Sequence, residues 1–444
     1  MDTNFYLLSF SVNGIKNIKK EIRLNFYKKT IDKSFDPKDF KVKAIYGENG
    51  SGKTALITAV QILKQLISEK AYLSDFQNQQ FLKNIINKEN KELSIETEVL
   101  YRRLDDDYIN FYVLNYSLVL GLEPDNLYVI KKESLSYKNG NYPNNHYKKI
   151  FIINNGSIEF LDFTEKEKEK IDKRTLNLLT SQTMISCFWH QNLIAEISAS
   201  SNYMHILYMY VFSYLNNIYL NEQDKHTLYM VQKYLDSPDN IANNKEFRSL
   251  LNKHIISYDS ISSELIHKTR FHVYKTKIEK LCSFLKIFKP DLQKIIINKK
   301  IDGEYYKCSL EMNYGNYNID YEFESTGIKK LVRLYECFNN ASRGGIVFID
   351  ELDSNINDVY FCKLVEYFMY YGKGQLCFTT HNLGPMSVLK ENKLSIEFLS
   401  NNNVIHTWTS SGNASPENFY KNGMIEDIPF NVDATDFLGL FEEE

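Results

Sequence analysis

The chain has 444 residues, 43% of them hydrophobic and 25% charged, with a net charge of −3 at neutral pH. That length suits two or three domains with buried cores, and the charge supplies no overall attraction to nucleic acid or to an anionic membrane. No apolar run approaches the roughly 20 residues of a membrane span, the first residues lack the pattern of a signal peptide, and the six cysteines form no C-x-x-C pair, so reduced thiols in a cytoplasmic protein are expected.

Taken in order, residues 5–26 alternate as two hairpin strands, Phe5–Val12 and Ile22–Phe26, around a turn at Asn13–Ile18. Lys16, Lys19 and Lys20 read by themselves as a solvated face. Residues 28–40, with Pro37 and many charges, are expected to be a loop. Val42–Tyr46 is a β-type run, and it opens onto Gly47-Glu48-Asn49-Gly50-Ser51-Gly52-Lys53-Thr54, which fits G-x-x-x-x-G-K-[ST] at every fixed position. Ala55–Leu63 then reads as a helix.

In such a strand–loop–helix the glycines let successive N–H groups turn inward around a phosphate, and the helix N-terminus adds partial positive charge. Lys53 is placed to reach β- and γ-phosphates, and the Thr54 hydroxyl to sit on Mg²⁺. The chain is therefore expected to bind a nucleoside triphosphate, with ATP and Mg²⁺ as cofactors.

Strand-like runs recur at Leu93–Tyr101, Asn110–Leu120, Leu127–Tyr137 and Tyr147–Ile153, with turn signals between them that imply an antiparallel meander. Residues 164–300 turn helical: Glu165–Lys173, Ile206–Tyr219, Thr227–Leu235 and Tyr274–Ile287 carry helical spacing. Ile295–Ile301, Tyr306–Met312 and Tyr317–Phe323 read as strands. Residues 344–350 form a buried-type strand closing on Asp350 and Glu351, Val359–Tyr370 a helix, and Gln375–Thr380 a second buried-type strand ending at His381. This β-α-β alternation is a parallel-sheet signature. Residues 394–408 add strands, and 409–444 read as a polar tail with a small apolar, acidic end at Asp436–Phe441.

An apolar strand closing on two carboxylates far downstream of a phosphate loop is chemically pointed. The first acid can hold the Mg²⁺ shell, and the second can orient or deprotonate an attacking water. At this point the residues resemble the ABC-type ATPases of the SMC/RecF/OLD branch, and within it the AAA-type ATPases of bacterial anti-phage systems. Asn13–Ile18 resembles the family's N-terminal G-F-K-S-F element, whose basic residue, here Lys16 beside Asn17, approaches the nucleotide. Gly47–Thr54 resembles Walker A, with Asn49, Gly50, Ser51, Gly52, Lys53 and Thr54 on the phosphates. Glu324–Leu331 resembles the signature S-x-G-x-[KR], with Ser325 and Gly327; a plain helix N-cap is the alternative for the same residues. Ile346–Glu351 resembles Walker B, Leu352–Asn355 the D-loop with Asp353, and His381 the switch histidine. Gln182 and Gln191 are both candidates for the Q-loop residue that completes the metal shell with Thr54 and Asp350, and Gln191 is preferred. No adenine-stacking aromatic can be chosen.

The resemblance implies an α/β fold: an ABC-type nucleotide-binding domain with a mixed sheet, an antiparallel β subdomain and an inserted helical subdomain. The divisions expected are an N-terminal ATPase lobe (1–163), a helical insertion (164–300), a C-terminal ATPase lobe (301–410) and a tail (411–444). Lys53, Glu351 and His381 are the expected catalytic residues. Two chains are expected to sandwich two nucleotides head to tail, with Ser325 facing the partner's γ-phosphate, in a dimer or a larger assembly. No TOPRIM domain, HNH motif or zinc-ligand spacing is visible, so nuclease activity is not expected in this chain. The function implied is control of a separately encoded effector, a TOPRIM-type nuclease toxin as in PARIS-type systems, released by a phage-derived trigger. The alternative is a RecF- or SMC-like ATPase of DNA repair that clamps duplex DNA. A transporter or ribosome factor fits less well.

Overall fold

The computed structural model describes residues 5–105, 108–191, 193, 197, 201–220, 222–223, 261, 265–392, 394–409 and 414–428. The chain opens with β1 (Phe5–Asn13) and β2 (Ile22–Asn25), an antiparallel pair. Their turn needs Gly14: its φ is +84°, and a Cβ there would fall 1.8 Å from the Glu92 carbonyl oxygen. β3 (Val42–Gly47) follows, then the helices α1 (Lys53–Ser68) and α2 (Phe76–Ile85). The expected meander is present as β4 (Glu92–Asp105), β5 (Tyr108–Leu122), β6 (Tyr128–Asn139), β7 (Lys148–Asn154) and β8 (Ser157–Leu161). With the first hairpin it forms one antiparallel sheet in the order β2-β1-β4-β5-β6-β7-β8. β1 does not alternate in burial, because Phe5–Val12 are all buried.

Three helices come next: α3 (Glu165–Thr175), held by a Thr164–Glu167 capping box, α4 (Met184–His190) and α5 (Ser201–Leu215). The helix read as Ile206–Tyr219 ends early, because Asn216–Leu220 is a strand, β9, followed by β10 (Glu222–Gln223). β9 lies parallel to a distant strand, and that non-local pairing overrides the helical spacing of its residues. The segment 164–300 is thus mixed rather than helical, since it also holds β11 (Leu265–His267) and the start of β12. The helix expected at Thr227–Leu235 lies outside the described residues.

α6 (Phe271–Phe288) leads to β12 (Lys294–Asp302), β13 (Tyr305–Asn313) and β14 (Asn318–Asp320), a small sheet in the order β11-β13-β12 with β14 also on β13. The third strand read as Tyr317–Phe323 is cut short: Tyr321–Phe323 is a 3₁₀ turn, because the Asp320 side chain accepts from Glu322 N–H at 2.9 Å. The chain continues as α7 (Thr326–Ser342), β15 (Ile346–Ile349), α8 (Asp358–Tyr371), β16 (Gln375–Thr379), α9 (Met386–Leu389), β17 (Ile396–Leu399), β18 (Ile405–Thr407) and α10 (Pro416–Lys421). The part of the tail up to Ile428 is packed rather than loose. Tyr420 stacks on Phe398 at 5.4 Å between ring centroids, and Ile428 is 1% exposed. The Asp436–Phe441 end lies outside the described residues.

The central sheet runs β10-β9-β15-β16-β3-β17-β18. Its five inner strands are parallel, and only the two edge strands are antiparallel. Successive side chains of a strand face opposite sides. Accordingly Ile346 and Phe348 join the core shared with α1 and the antiparallel sheet, while Val347 and Ile349 join the core under α7 and α8. The fold is therefore mixed α/β, with antiparallel and mixed sheets and helices on both faces of the central one. Gln375 ties the two large sheets, accepting from Leu7 N–H at 2.7 Å and donating to Leu7 C=O at 2.9 Å beside the β1 bulge. Among the described residues no helix is long and apolar enough to cross a membrane.

Candidate functional site

In an open parallel sheet the carboxyl ends of the strands share one edge, where ligands settle. The register pairs Ile349 with Phe378, and Phe378 with Ala44, so β15, β16 and β3 end almost level. With strands spaced about 4.8 Å, the segments after Ile349, Thr379 and Gly47 emerge side by side. These segments carry Asp350-Glu351, Thr380-His381 and the glycine loop.

The loop has the backbone that its glycines permit. Gly50 and Gly52 take φ of +84° and +109°. At Gly47 a Cβ would lie 2.5 Å from the Leu399 carbonyl oxygen, so only glycine fits against β17. Lys53 is 7% exposed, and its Nζ donates to the carbonyls of Gly47 at 2.7 Å and Glu48 at 2.9 Å. Burial lowers the Lys53 pKa, and Asp350, Glu351, Asp353 and Glu48 oppose that shift through their charge. All three downstream carboxylates are thus within electrostatic reach of the ammonium. The Ser51 hydroxyl oxygen is buried and has no hydrogen-bond partner among the described residues. Asn49 is exposed at the loop tip, and Thr54 opens α1 beside Lys53.

The β1–β2 turn reaches the same loop. Asn17 Nδ2 donates to Gly50 C=O at 2.5 Å, and a Cβ on Gly52 would lie 3.2 Å from Asn17 Oδ1. Lys16 has φ +47° and is anchored through its backbone. Its N–H donates to Ile85 C=O at 2.7 Å, and its C=O accepts from Asn87 Nδ2 at 2.7 Å, which leaves its side chain exposed.

On the carboxylate side, Asp350 is 4% exposed and Oδ1 accepts from Thr379 Oγ1 at 2.5 Å. The Thr379 hydroxyl oxygen in turn accepts from Glu351 N–H at 2.8 Å. Glu351 sits at φ +47°, a region that costs a non-glycine residue roughly 1 kcal/mol. Lys330, on the second turn of α7, holds that conformation by donating to Glu351 C=O at 2.7 Å and to Ser354 Oγ. Burial pushes the Lys330 pKa down to about 8 against the pull of Asp353, Glu351 and Asp350. Asp353 Oδ1 is buried with no hydrogen-bond partner among the described residues. The His381 pKa is lowered by burial and then by Lys53, while Asp353, Glu351 and Asp350 pull it up. The histidine therefore shares the site with both.

Ser325 is the N-cap of α7, its Oγ accepting from Ile328 N–H at 3.4 Å. This is the capping geometry given above as the alternative for these residues. Gly327 allows close approach to the carboxylate loop, since a Cβ there would be 3.4 Å from Asn355 C=O. A cleft of about 270 Å³ opens between them, with Lys329, Lys330 and Arg333 on one wall and Asp350 and Glu351 on the other.

Neither glutamine joins this group. Thr183, the N-cap of α4, donates to Leu66 C=O at 3.3 Å, and His190 Nε2 is 3.1 Å from Ser68 C=O. Both ends of α4 thus lie at the last turn of α1, which at 1.5 Å per residue is about 20 Å from Thr54. Gln182 and Gln191, which flank α4, sit at the wrong end of that helix to share a metal with Thr54. The chain that borders Asp350 instead is the end of β9, where Tyr219 C=O accepts from Asp350 N–H at 2.9 Å. Sequence reasoning also missed Thr379 and Lys330. The Thr379-Thr380 pair before His381, and a lysine one turn past Ser325, were the available signals.

The donor set suits a Mg²⁺ that keeps most of its ligands as water and substrate phosphate. Among the described residues no group of three or more His, Cys, Asp and Glu side chains is placed to hold a metal. Thr54 and Asp350 are the hydroxyl and the carboxylate that would be offered to such an ion.

No protein-family profile matches the chain, and no curated protein matches it. Among solved structures, the recombination mediator protein RecF with ATPrS, of the RecFOR pathway, aligns over 92% of this chain and 99% of its own at 13% identity, with a TM-score of 0.39. A likeness at that level carries neither fold nor function to this chain.

Proposed function

We propose that this chain binds Mg·ATP at the carboxyl edge of β3, β15 and β16 and hydrolyses it. The observation that supports this best is the convergence on Lys53 of three carboxylates that lie about 300 residues downstream of it. A lysine in a glycine loop at a helix N-terminus is built for β- and γ-phosphates. On phosphate binding, Lys53 exchanges its contacts with the Gly47 and Glu48 carbonyls for charge-assisted ones. Mg²⁺, held by Thr54 and Asp350, would neutralise developing phosphate charge. Glu351 would accept a proton from the attacking water, and His381 would orient the γ-phosphate. Asn49, Gly50, Ser51 and Gly52 offer loop N–H groups, and Lys16 and Asn17 approach from the opposite rim.

The same reading places Ser325, Gly327 and Asp353 at a second nucleotide, held by another copy in a head-to-tail sandwich. The N-cap seen at Ser325 is compatible with it, because a helix N-terminus both caps itself and presents free N–H groups to an anion. The biological role proposed is control of a separate nuclease effector in anti-phage defence, carried by the motif resemblance alone. A duplex-clamping ATPase is the other reading, and salt-independent failure to retain duplex DNA would remove it. The test of the ATPase proposal is calorimetric ATP binding with and without Lys53→Ala. Loss of binding in the variant is expected, and equal binding would overturn the reading.

A further inference from the structure

A second concave surface lies between α6, α7 and α8. It is a groove of about 380 Å³ lined mainly by Phe284, Ile287, Phe288, Tyr335, Tyr360 and Tyr367. Ile287 is 58% exposed and Tyr367 46%, and α8 continues with Tyr370 and Tyr371 at 60% and 71%. Contiguous apolar surface of this kind marks a place where something binds.

The rim is cationic. Lys363 lines the groove and pairs with Glu366 at 2.7 Å. Arg343 is close enough to lower the pKa of Tyr335, and Lys280 stands exposed one turn before Phe284. The matching occupant must therefore combine aromatic and aliphatic side chains with carboxylates.

The chain itself carries such a segment. After Ile428 it has Asp433, Asp436, Glu442, Glu443 and Glu444, no lysine or arginine, and Phe437, Leu438, Leu440 and Phe441 among the acids. The other long stretch outside the described residues, 224–260, mixes lysines with aspartates and lacks that one-sided charge. The last described residue, Ile428, packs into the same core cluster as Phe338 and Phe368, which floor the groove. The chain from there to Phe437 extends to about 30 Å. We propose that the groove binds the segment Asp436–Glu444 of the same chain, with Phe437, Leu438, Leu440 and Phe441 inward and the carboxylates of Asp436 and Glu442–Glu444 on the cationic rim.

This docking is independent of the nucleotide chemistry. The test is Phe437→p-benzoylphenylalanine in the full-length protein, irradiated and mapped by peptide mass spectrometry. Crosslinks to residues 284–288 and 360–371 at monomer mass are expected. Their yield should fall about fivefold or more in the Arg343→Glu/Lys363→Glu variant, whose fold is checked by circular dichroism, and likewise in 0.5 M salt. Crosslinks to other regions, crosslinks between two chains, or a yield indifferent to the rim charges would each overturn the proposal.

Discussion

The carboxyl edge of the parallel sheet and the antiparallel meander both bury ionisable groups, but they use them differently. At the parallel edge, Lys53, Asp350, Lys330 and Asp353 crowd together, with Glu351 held at a positive φ. Lys330 faces Asp350 and Glu351 across a cleft, and the buried Asp353 Oδ1 has no hydrogen-bond partner among the described residues. In the meander and the helix α5 packed on it, two buried groups are closed off. Glu133 accepts from Tyr116 OH at 2.9 Å and from Met184 N–H at 2.7 Å, so it caps α4 from within the sheet. His205 pairs with Tyr101 OH at 2.6 Å and stacks on Tyr137 at 3.9 Å. Buried charge that is satisfied locally supports a fold, whereas buried charge left facing a cleft is poised for a ligand.

That contrast can be broken at its strong end first. Glu351→Gln should retain ATP binding and lower kcat by about 10²–10⁴-fold, the span of a general base, in a phosphate-release assay. Unchanged turnover would mean the proton goes elsewhere. Lys330→Met should lower kcat by about 10-fold or more with KM nearly unchanged if the ammonium acts by positioning Glu351 through its carbonyl. If KM rises while kcat holds, Lys330 serves binding instead.

The meander offers the smaller effects, read as stability. Burial raises the Glu133 pKa to about 7. A carboxyl group raised in this way contributes stability below its unfolded pKa and loses it as pH climbs through about 7. The stability difference between the unmodified protein and Glu133→Gln should therefore fall by on the order of 1–3 kcal/mol between pH 5 and pH 8 in thermal unfolding. Burial drives the His205 pKa down to about 3. Its contribution is present above the unfolded pKa near 6.5 and is lost as pH falls toward 3, so the two slopes oppose each other between the unfolded values of 4.5 and 6.5 and each is read against its own variant. A Glu133→Gln difference that does not change with pH would show that carboxyl group to be less buried than its contacts imply. Neither change should alter ATP affinity at pH 7.

The same division marks what could be read from residues alone. The glycine loop, the Ile346–Glu351 strand and the meander announce themselves through local spacing and turn chemistry. β9 does not, because Asn216–Leu220 continues a helical pattern and becomes a strand only by lying beside β15. The packing of Tyr420 on Phe398 could not be seen for the same reason. Gln191 was misplaced because a glutamine at a helix end goes where the helix docks, and α4 docks on the distal turn of α1. Lys330 and Thr379 act through backbone atoms across the sheet, contacts that leave no short-range signature.

Whether Thr54 and Asp350 hold one ion between them can be settled by a double-mutant cycle on the Mg²⁺-dependence of ATP affinity, using Thr54→Val, Asp350→Asn and the double variant. If they share the ion, each single change removes most of the dependence and the double variant is no worse than the poorer single one. Fully additive losses, or a dependence that survives Asp350→Asn, would contradict a single Mg·ATP site at this edge.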